Sequence, residues 1–173
     1  MTVAVNYRLM TCTPADVFEV LADGWLYPSW VVGASRMRGV DDAWPSPGSM
    51  LHHSVGVWPL LIDDTTSVLE LIPPRHLLLK ARGWPMGEAH VAIDVRNRAA
   101  GCIVRITEDA VAGPMRFIPR PLLDAMVHAR NAETLRRLAY LAEGTARETS
   151  AFTPRAPRSP RAPHPPLSPR TVA

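Results

Sequence analysis

The chain has 173 residues, 47% of them hydrophobic and 20% charged, which is enough to bury the core of one domain. It contains no window of about 18 or more apolar residues, and its first residues lack the basic-then-apolar layout of a signal peptide. We therefore expect a cytoplasmic protein without a membrane span.

The formal net charge of +3 is unevenly distributed along the chain. The segment from Thr145 onward carries +4 and the remainder −1, so the composition gives no support to a nucleic-acid partner. The two cysteines, Cys12 and Cys102, have no CxxC spacing and are expected to be reduced thiols.

The first predicted element is a strand with one buried face, because apolar residues recur at every second position, at Val3, Val5, Tyr7 and Leu9. A short helix over residues 15–22 follows. Thr13 is its expected N-cap and Pro14 occupies the first turn, where a missing N–H costs nothing. A second short helical turn is predicted over residues 25–32.

From Ser35 the pattern alternates with period two, and Gly- and Pro-containing turns divide it into six strands. They are predicted over residues 35–40, 49–58, 60–72, 76–82, 87–97 and 101–109. Short connections between them imply antiparallel neighbours. Alternation places apolar residues on one face of the sheet and most charges on the other, with Leu77, Leu79, Ile93, Val95, Val104 and Ile106 among the inner residues.

A one-sided sheet needs a cover, and a long amphipathic helix over residues 121–143 is predicted to supply it. Its apolar stripe contains Val127, Leu135, Leu138 and Ala142, with Asn131 in the middle. A polar residue within a buried stripe is a local inconsistency of the kind found at functional sites.

The order β-α-α-β6-α resembles the START-like or Bet v 1-like superfamily, and most closely bacterial SRPBCC proteins of the polyketide cyclase/dehydrase group. The resemblance covers about residues 3 to 143 and rests on the segments Thr13-Pro14-Ala15-Asp16-Val17-Phe18, Trp30-Val31-Val32-Gly33, Val68-Leu69-Glu70-Leu71-Ile72-Pro73-Pro74-Arg75 and Arg130-Asn131-Ala132-Glu133. It implies an α+β helix-grip fold, in which a seven-stranded curved antiparallel sheet wraps around the C-terminal helix. Members of the superfamily carry hydrophobic molecules or catalyse cyclisation, so the fold implies a pocket and no particular reaction.

The candidate ligand contacts are Trp58, Trp84, His53, Glu108, Met126 and Asn131. Trp58 and Trp84 each precede a proline at a strand end, where they rim a cavity mouth or cap the core. Met126 would be a soft apolar lining or plain core. Asn131 would bond a ligand carbonyl or hydroxyl, or backbone carbonyls where the helix crosses the sheet.

Two of these residues are also candidate catalytic groups. Glu108 falls on the apolar face and could act as acid, base or polar anchor, or it pairs with an arginine at the strand end. Of the adjacent His52 and His53, alternation turns His53 inward, as a proton-transfer group or as a satisfied core histidine.

No metal or cofactor is expected. Adjacent histidines on a strand cannot both reach one ion, and His76, His90 and His128 show no ligand spacing. The sequence also lacks a P-loop, a GxGxxG motif after a strand, an HExxH motif and a GxSxG elbow.

The sequence favours a binding protein for one small hydrophobic or aromatic molecule, lipid-like or polyketide-like, held between the sheet and the last helix. The alternative is a polyketide cyclase or dehydratase that uses Glu108 or His53 for general acid/base chemistry in the same pocket. Residues 1–144 would form this domain. Residues 145–173, rich in Pro and Arg, would be a disordered tail that is either unselected or a weak ligand for a protein partner.

Overall fold

The computed structural model describes residues 3–83, 87–112 and 120–152. Within these residues the strands are β1 Val3–Met10, β2 Ala34–Val40, β3 Met50–Val57, β4 Leu60–Ile72, β5 His76–Gly83, β6 Gly87–Arg98 and β7 Gly101–Ala112. The helices are α1 Pro14–Ala22, α2 Tyr27–Trp30 and α3 Arg120–Phe152, and a 3₁₀ turn at Gly24–Leu26 precedes α2.

The strands form one antiparallel sheet in the order β1-β7-β6-β5-β4-β3-β2. Strands β2 to β7 are each hydrogen-bonded to the next along the chain, and β1 pairs with β7 from Val3 opposite Asp109 to Met10 opposite Cys102. The predicted α+β architecture, a curved seven-stranded sheet with a long C-terminal helix against it, is confirmed. Alternation and turn residues are local signals, and this is why the predicted strand limits lie close to the observed ones.

Helix α1 begins as its sequence predicts. Thr13 Oγ1 accepts a hydrogen bond from the Asp16 amide at 3.3 Å, and the Asp16 carboxylate accepts one from the Thr13 amide at 2.7 Å. This reciprocal capping box satisfies two amide groups that a helix start leaves unpaired.

One end of the sheet is covered by α1 and the 3₁₀ turn, and we call it the closed end. The indole N–H of Trp44, in the β2–β3 connection, donates to the Leu21 carbonyl at 3.2 Å. Gly24 lies so close to β3 that an added Cβ would be 2.6 Å from Leu51 Cδ2. The opposite end, where β1 begins and β7 finishes, is called the open end.

Helix α3 runs from the open end towards the closed end. Asn6 Nδ2 donates to the His128 carbonyl at 3.1 Å, and further along β1 the Thr11 amide donates to Glu143 Oε1 at 2.8 Å. The predicted stripe is buried at Asn131, Leu135, Leu138 and Ala142. No helix in the described part of the chain is both long and apolar enough to span a membrane.

Helix α3 continues to Phe152, well past the predicted end at Glu143. Residues 145–152, assigned by the sequence prediction to a disordered tail, are therefore helical. The reason is local: this stretch contains no proline before Pro154, and Ala146 packs against the core. The remaining part of the predicted tail, residues 153–173, lies outside the described residues.

The faces of β1 differ from the simple alternation prediction. Tyr7 and Leu9 are 62% and 71% exposed, while Ala4 and Met10 are buried. Because β1 is an edge strand whose inner face meets α3, position relative to that helix overrides the hydrophobicity of individual side chains.

The concave face of the sheet is packed differently at its two ends. Towards the closed end, the inner residues are large and fully buried, as at Leu77, Leu79, Ile93, Val95, Val104 and Ile106. Towards the open end, the inner positions hold small or only partly buried side chains, at Ile62 on β4, Ala81 on β5, and Ala89 and Val91 on β6. The helix and sheet therefore enclose a dense core at one end and cover the inner face less completely at the other.

Candidate functional site

A buried chain of hydrogen bonds lies between α2 and the inner face of β3 and β4. The Tyr27 hydroxyl lies 3.0 Å from Thr66 Oγ1, and His53 Nε2 lies 2.9 Å from the same oxygen. All three side chains are buried. Thr66 therefore links the phenol of Tyr27 and the imidazole of His53 in a region shielded from solvent.

Aromatic contacts hold this chain in place. The Tyr27 ring lies 5.0 Å from the His53 ring and 5.3 Å from the Trp30 ring, the latter in an edge-to-face arrangement. Such pairs add to the stability that burial alone provides. The short helix α2 thus fixes Tyr27 and Trp30 over the strand that carries His53.

The hydrogen-bond chain allows two arrangements of protons, because either hydroxyl of the Tyr27–Thr66 pair can donate. In the arrangement that uses the Tyr27 proton, the phenol donates to Thr66 Oγ1, its one partner among the described residues. The Thr66 hydroxyl is then free to donate to His53 Nε2, which acts as an acceptor. We therefore assign the proton of the neutral imidazole to Nδ1, as the remaining donor.

Three polar atoms around this cluster are buried and have no hydrogen-bond partner among the described residues: Trp30 Nε1, His53 Nδ1 and Asp64 Oδ2. Asp64 lies directly opposite His53 in the β3–β4 register and faces the same side of the sheet. Its other oxygen accepts from the Thr65 amide at 2.7 Å. Native proteins pair nearly all buried polar groups, so these three atoms are available to an ordered water or a bound molecule.

Burial shifts the pKa values of His53, Tyr27 and Asp64, in each case in the direction that favours the neutral form. It lowers the pKa of His53 to about 4, with the Arg38 charge adding to the effect. It raises the pKa of the Tyr27 hydroxyl to about 12 and also raises the pKa of the Asp64 carboxyl. At neutral pH, His53 is an uncharged donor and Tyr27 an uncharged phenol.

A second polar group sits where α3 crosses the open end of β7. The Arg130 guanidinium contacts Glu108 Oε2, and Asn131 Nδ2 donates to the same oxygen at 3.1 Å. The Glu108 side chain is 12% exposed and that of Arg130 is 42% exposed. Glu108 thus faces inward, as the alternation predicts. It is also paired with an arginine, which was the alternative prediction for this residue.

The structure brings only some of the sequence candidates together. His53 is buried on the inner face, and Glu108 and Asn131 bond each other near the start of α3. Trp58 is 82% exposed at the β3–β4 connection, and Met126 is 55% exposed because α3 turns Val127 and Asn131 inward instead. Trp84 lies outside the described residues.

Four residues of the cluster were not among the predicted site residues: Tyr27, Trp30, Asp64 and Thr66. Asp64 and Thr66 share the parity of the buried Val68 on β4, so alternation alone could have placed them inward. They were not predicted because polar side chains are not expected on a buried strand face. Tyr27 and Trp30 lie beside Pro28 in a helix of one turn, where periodicity carries no information.

Other reactive groups are inert or scattered. Cys12 and Cys102 are both buried, and burial raises the pKa of Cys12 to about 12, which disfavours the nucleophilic thiolate. Within residues 3–83, 87–112 and 120–152, no three His, Cys, Asp or Glu side chains come together as metal ligands.

Residues 2–143 match the family model described as polyketide cyclase / dehydrase and lipid transport. Among curated proteins, none is similar enough in sequence to count as a match.

Solved structures with the same fold are numerous. A protein from Nitrosomonas europaea has a TM-score of 0.65 at 16% identity, over 87% of this chain and 97% of its own. One from Rhodobacter sphaeroides has a TM-score of 0.61 at 19% identity, over 87% and 94%. The di-domain ARO/CYC StfQ from the steffimycin biosynthetic pathway has a TM-score of 0.64 at 12% identity; this chain covers 52% of it, and 87% of this chain is covered. At these identities the likeness concerns the fold alone.

Proposed function

The chain belongs to the polyketide cyclase / dehydrase and lipid transport family, and we propose that it binds one small hydrophobic or aromatic molecule between the open end of the sheet and α3. Apolar burial would supply most of the affinity. The polar groups of the inner face would orient the ligand.

The observation that carries this proposal is the combination of accessible apolar surface with unpartnered buried polar atoms. Ala81 and Ala89 face each other in the β5–β6 register, and Thr66 lies opposite Ala81 on the other side. A small-residue floor therefore adjoins the cluster of Tyr27, His53 and Thr66. Leaving Trp30 Nε1, His53 Nδ1 and Asp64 Oδ2 unpaired lowers the stability of the folded protein, and an ordered water or a ligand oxygen would relieve that cost.

A matched pair of substitutions on β6 tests the location. Ala89→Trp places a bulky ring on the inner face, whereas Ala92→Trp places the same ring on the outer face. Titration with the neutral fluorophore N-phenylnaphthylamine should show at least about tenfold weaker binding for Ala89→Trp and no change for Ala92→Trp. Equal binding by the two variants would place the ligand elsewhere, provided that both unfold cooperatively.

A second candidate function is catalysis of an aldol-type cyclisation or dehydration in the same place. The observation that favours it is the pair His53 and Asp64, whose environments push their pKa values in opposite directions. A carboxyl that titrates nearer neutrality beside a neutral imidazole donor is an arrangement suited to proton transfer. Glu108, the carboxylate proposed from the sequence, is less suited because Arg130 and Asn131 already occupy it.

In this candidate reaction, Asp64 would remove a proton from a methylene next to a substrate carbonyl. The enolate oxygen would be held by the N–H groups of His53 and Trp30 while the new carbon–carbon bond forms. The alkoxide produced at the second carbonyl would then recover the proton from Asp64.

The test uses a linear diketone whose aldol closure and loss of water give a conjugated enone with a strong ultraviolet absorbance. A catalyst should accelerate enone formation, and Asp64→Asn should lower the rate by about a hundredfold or more. Glu108→Gln is the control and should leave most of the rate. If wild-type protein binds the diketone without accelerating closure, only the binding function remains.

A further inference from the structure

We propose that Trp30, His53 and Asp64 form a subsite for a neutral hydroxyl group, so that the protein selects phenol-type ligands over carboxylates of the same skeleton. This inference rests on the proposed binding function and specifies its ligand class. It is carried by the three unpartnered buried atoms and by the charges that surround them.

The unpartnered atoms match the hydrogen-bonding capacity of a hydroxyl. Trp30 Nε1–H is a donor, His53 Nδ1–H is a donor by the assignment above, and Asp64 Oδ2 is an acceptor. A hydroxyl oxygen offers two lone pairs and one O–H, which complements two donors and one acceptor. A carboxylate offers acceptors alone and would leave Asp64 facing a like charge.

The three side chains belong to one neighbourhood of the inner face, linked through Tyr27 and through the pairing of β3 with β4. Tyr27 contacts the rings of both Trp30 and His53, and Asp64 is the cross-strand partner of His53. Each of the three is more than nine-tenths buried. Water is therefore a poor competitor for these atoms, and a ligand oxygen that pairs them recovers a cost already present in the folded protein.

The surrounding charges favour a neutral ligand. Three carboxylates lie in or near the open end, on Asp64, Glu108 and Asp124, the last one on the α3 face that leads to Asn131. Of the described guanidinium groups near this end, Arg130 is held by Glu108, and Arg82, whose charge reaches Asp64, is paired with Glu88. Arg38 approaches His53 and Asp64 only at their backbone carbonyls and is paired with Asp63. An anionic ligand would find no free cation among these groups.

An aromatic ring is the apolar body that this subsite fits best. The inner faces of Ala81, Ala89 and Val91 leave a half-exposed apolar floor beside Thr66 and Tyr27. A flat ring can lie on such a floor with its hydroxyl directed to the subsite.

The experiment compares β-naphthol, naphthalene and β-naphthoate, which share one ring system, at pH 7 by fluorescence titration of the full chain. We expect naphthol to bind about tenfold more tightly than naphthalene, because hydrogen bonds to buried unpaired atoms are gained. Naphthoate should bind most weakly.

Matched variants identify the atoms. Trp30→Phe should reduce the preference for naphthol over naphthalene by about threefold, while Trp44→Phe should leave it unchanged, since the Trp44 indole N–H is already bonded to Leu21. Asp64→Asn should also reduce the preference, and it keeps the oxygen that accepts from Thr65. The preference is a ratio of two affinities, so a variant that weakens the binding of both ligands equally does not change it.

The outcomes separate the two proposals. If none of the three compounds binds, the proposed function fails and this inference fails with it. If naphthol and naphthalene bind equally, or naphthoate binds best, the binding function stands and the hydroxyl subsite is wrong. A naphthol preference that Trp30→Phe and Asp64→Asn each reduce, and that Trp44→Phe leaves unchanged, supports the subsite.

Discussion

The two ends of the concave sheet face are built from the same strands, yet they are packed differently. At the closed end, Leu77, Ile93 and Val95 interlock with α1 and α3 and are fully buried. At the open end, the next inner positions on β5 and β6 are Ala81, Ala89 and Val91, all half-exposed. The difference teaches that one continuous alternation pattern can encode a dense core and a less tightly packed inner surface a few residues apart.

The two ends also differ in polarity: the less tightly packed open end carries the polar side chains. The inner residues of the closed end are apolar and need no partners. The open end collects His53, Asp64 and Glu108, and unpartnered buried atoms are found on the first two. Unpaired buried groups lower stability, so the open end is maintained at a cost that the closed end offsets.

The largest expected effect comes from a matched pair on β6. Val95→Ala removes two methyl groups from the closed end, where Val95 is 1% exposed, and should lower the free energy of unfolding by about 2–3 kcal/mol. Val91→Ala makes the same change on the same face at the open end and should cost less than about 1 kcal/mol. Urea denaturation of both variants measures the contrast. Equal losses would mean that the open end is packed as tightly as the closed end.

The second effect is a pH dependence that arises from His53. Its pKa is about 4 in the folded protein against an ordinary value of 6.5, because burial disfavours the charged form. Between these values the unfolded chain binds more protons, so stability should be flat above about pH 6.5 and fall by on the order of 2 kcal/mol as the pH approaches 4. Tyr27, Thr66 and Asp64 lie beside the His53 side chain, and the Arg38 guanidinium reaches its backbone carbonyl.

Urea midpoints measured between pH 8 and pH 4.5 for the wild type and His53→Gln isolate this contribution. The difference between the two curves should vanish at low pH as the wild type loses its advantage. A difference that stays constant across the range would show that His53 does not resist protonation. Asp64 acts in the opposite sense, since its raised pKa favours the folded state at low pH, and it is present in both proteins.

A third, smaller effect is a gain in stability. Asp64→Asn replaces a buried carboxylate, whose pKa is raised by desolvation, with a neutral isostere and should stabilise the protein by about 1 kcal/mol at pH 7. The same variant should bind naphthol less well. Asp63→Asn is the control: Asp63 pairs with Arg38 and Ser54 on the outer face, so its loss should not stabilise the protein. A loss of stability in Asp64→Asn would show that this carboxylate serves the fold instead.

The features that the sequence predicted are those set by residues close together in the chain. The α1 cap at Thr13 and Asp16, the limits of β4 and the inward side of β5 depend on neighbours in the chain, and each was predicted correctly. The buried stripe of α3 was predicted too, because helical periodicity reports which face is covered.

The cluster could not be predicted because it depends on contacts between distant parts of the chain. Tyr27 meets Thr66 across 39 positions, and Arg130 meets Glu108 across 22. Alternation could place His53 and Glu108 inward, yet nothing in a strand pattern shows that α2 lies over His53 or that Arg130 reaches Glu108. The end of α3 was missed for another reason, since a proline-rich composition beyond Pro154 was extended back over residues that can form a helix.

The smallest expected effects come from two truncations, one that removes the residues after α3 and one that also removes the C-terminal part of α3. A chain ending at Phe152 should keep the thermal midpoint and the ligand affinity of the full chain, because the Pro- and Arg-rich remainder cannot bury enough apolar surface to add stability. A chain ending at Glu143 should lose about 1 kcal/mol, since it removes Ala146 from the core and the hydrogen bond from Thr145 Oγ1 to the Leu141 carbonyl at 3.1 Å. That loss falls at the closed end, towards which α3 runs, so naphthol affinity measured below the unfolding temperature should remain unchanged. If the shorter chain loses affinity in proportion to its stability, the two ends of the sheet do not behave as separate units.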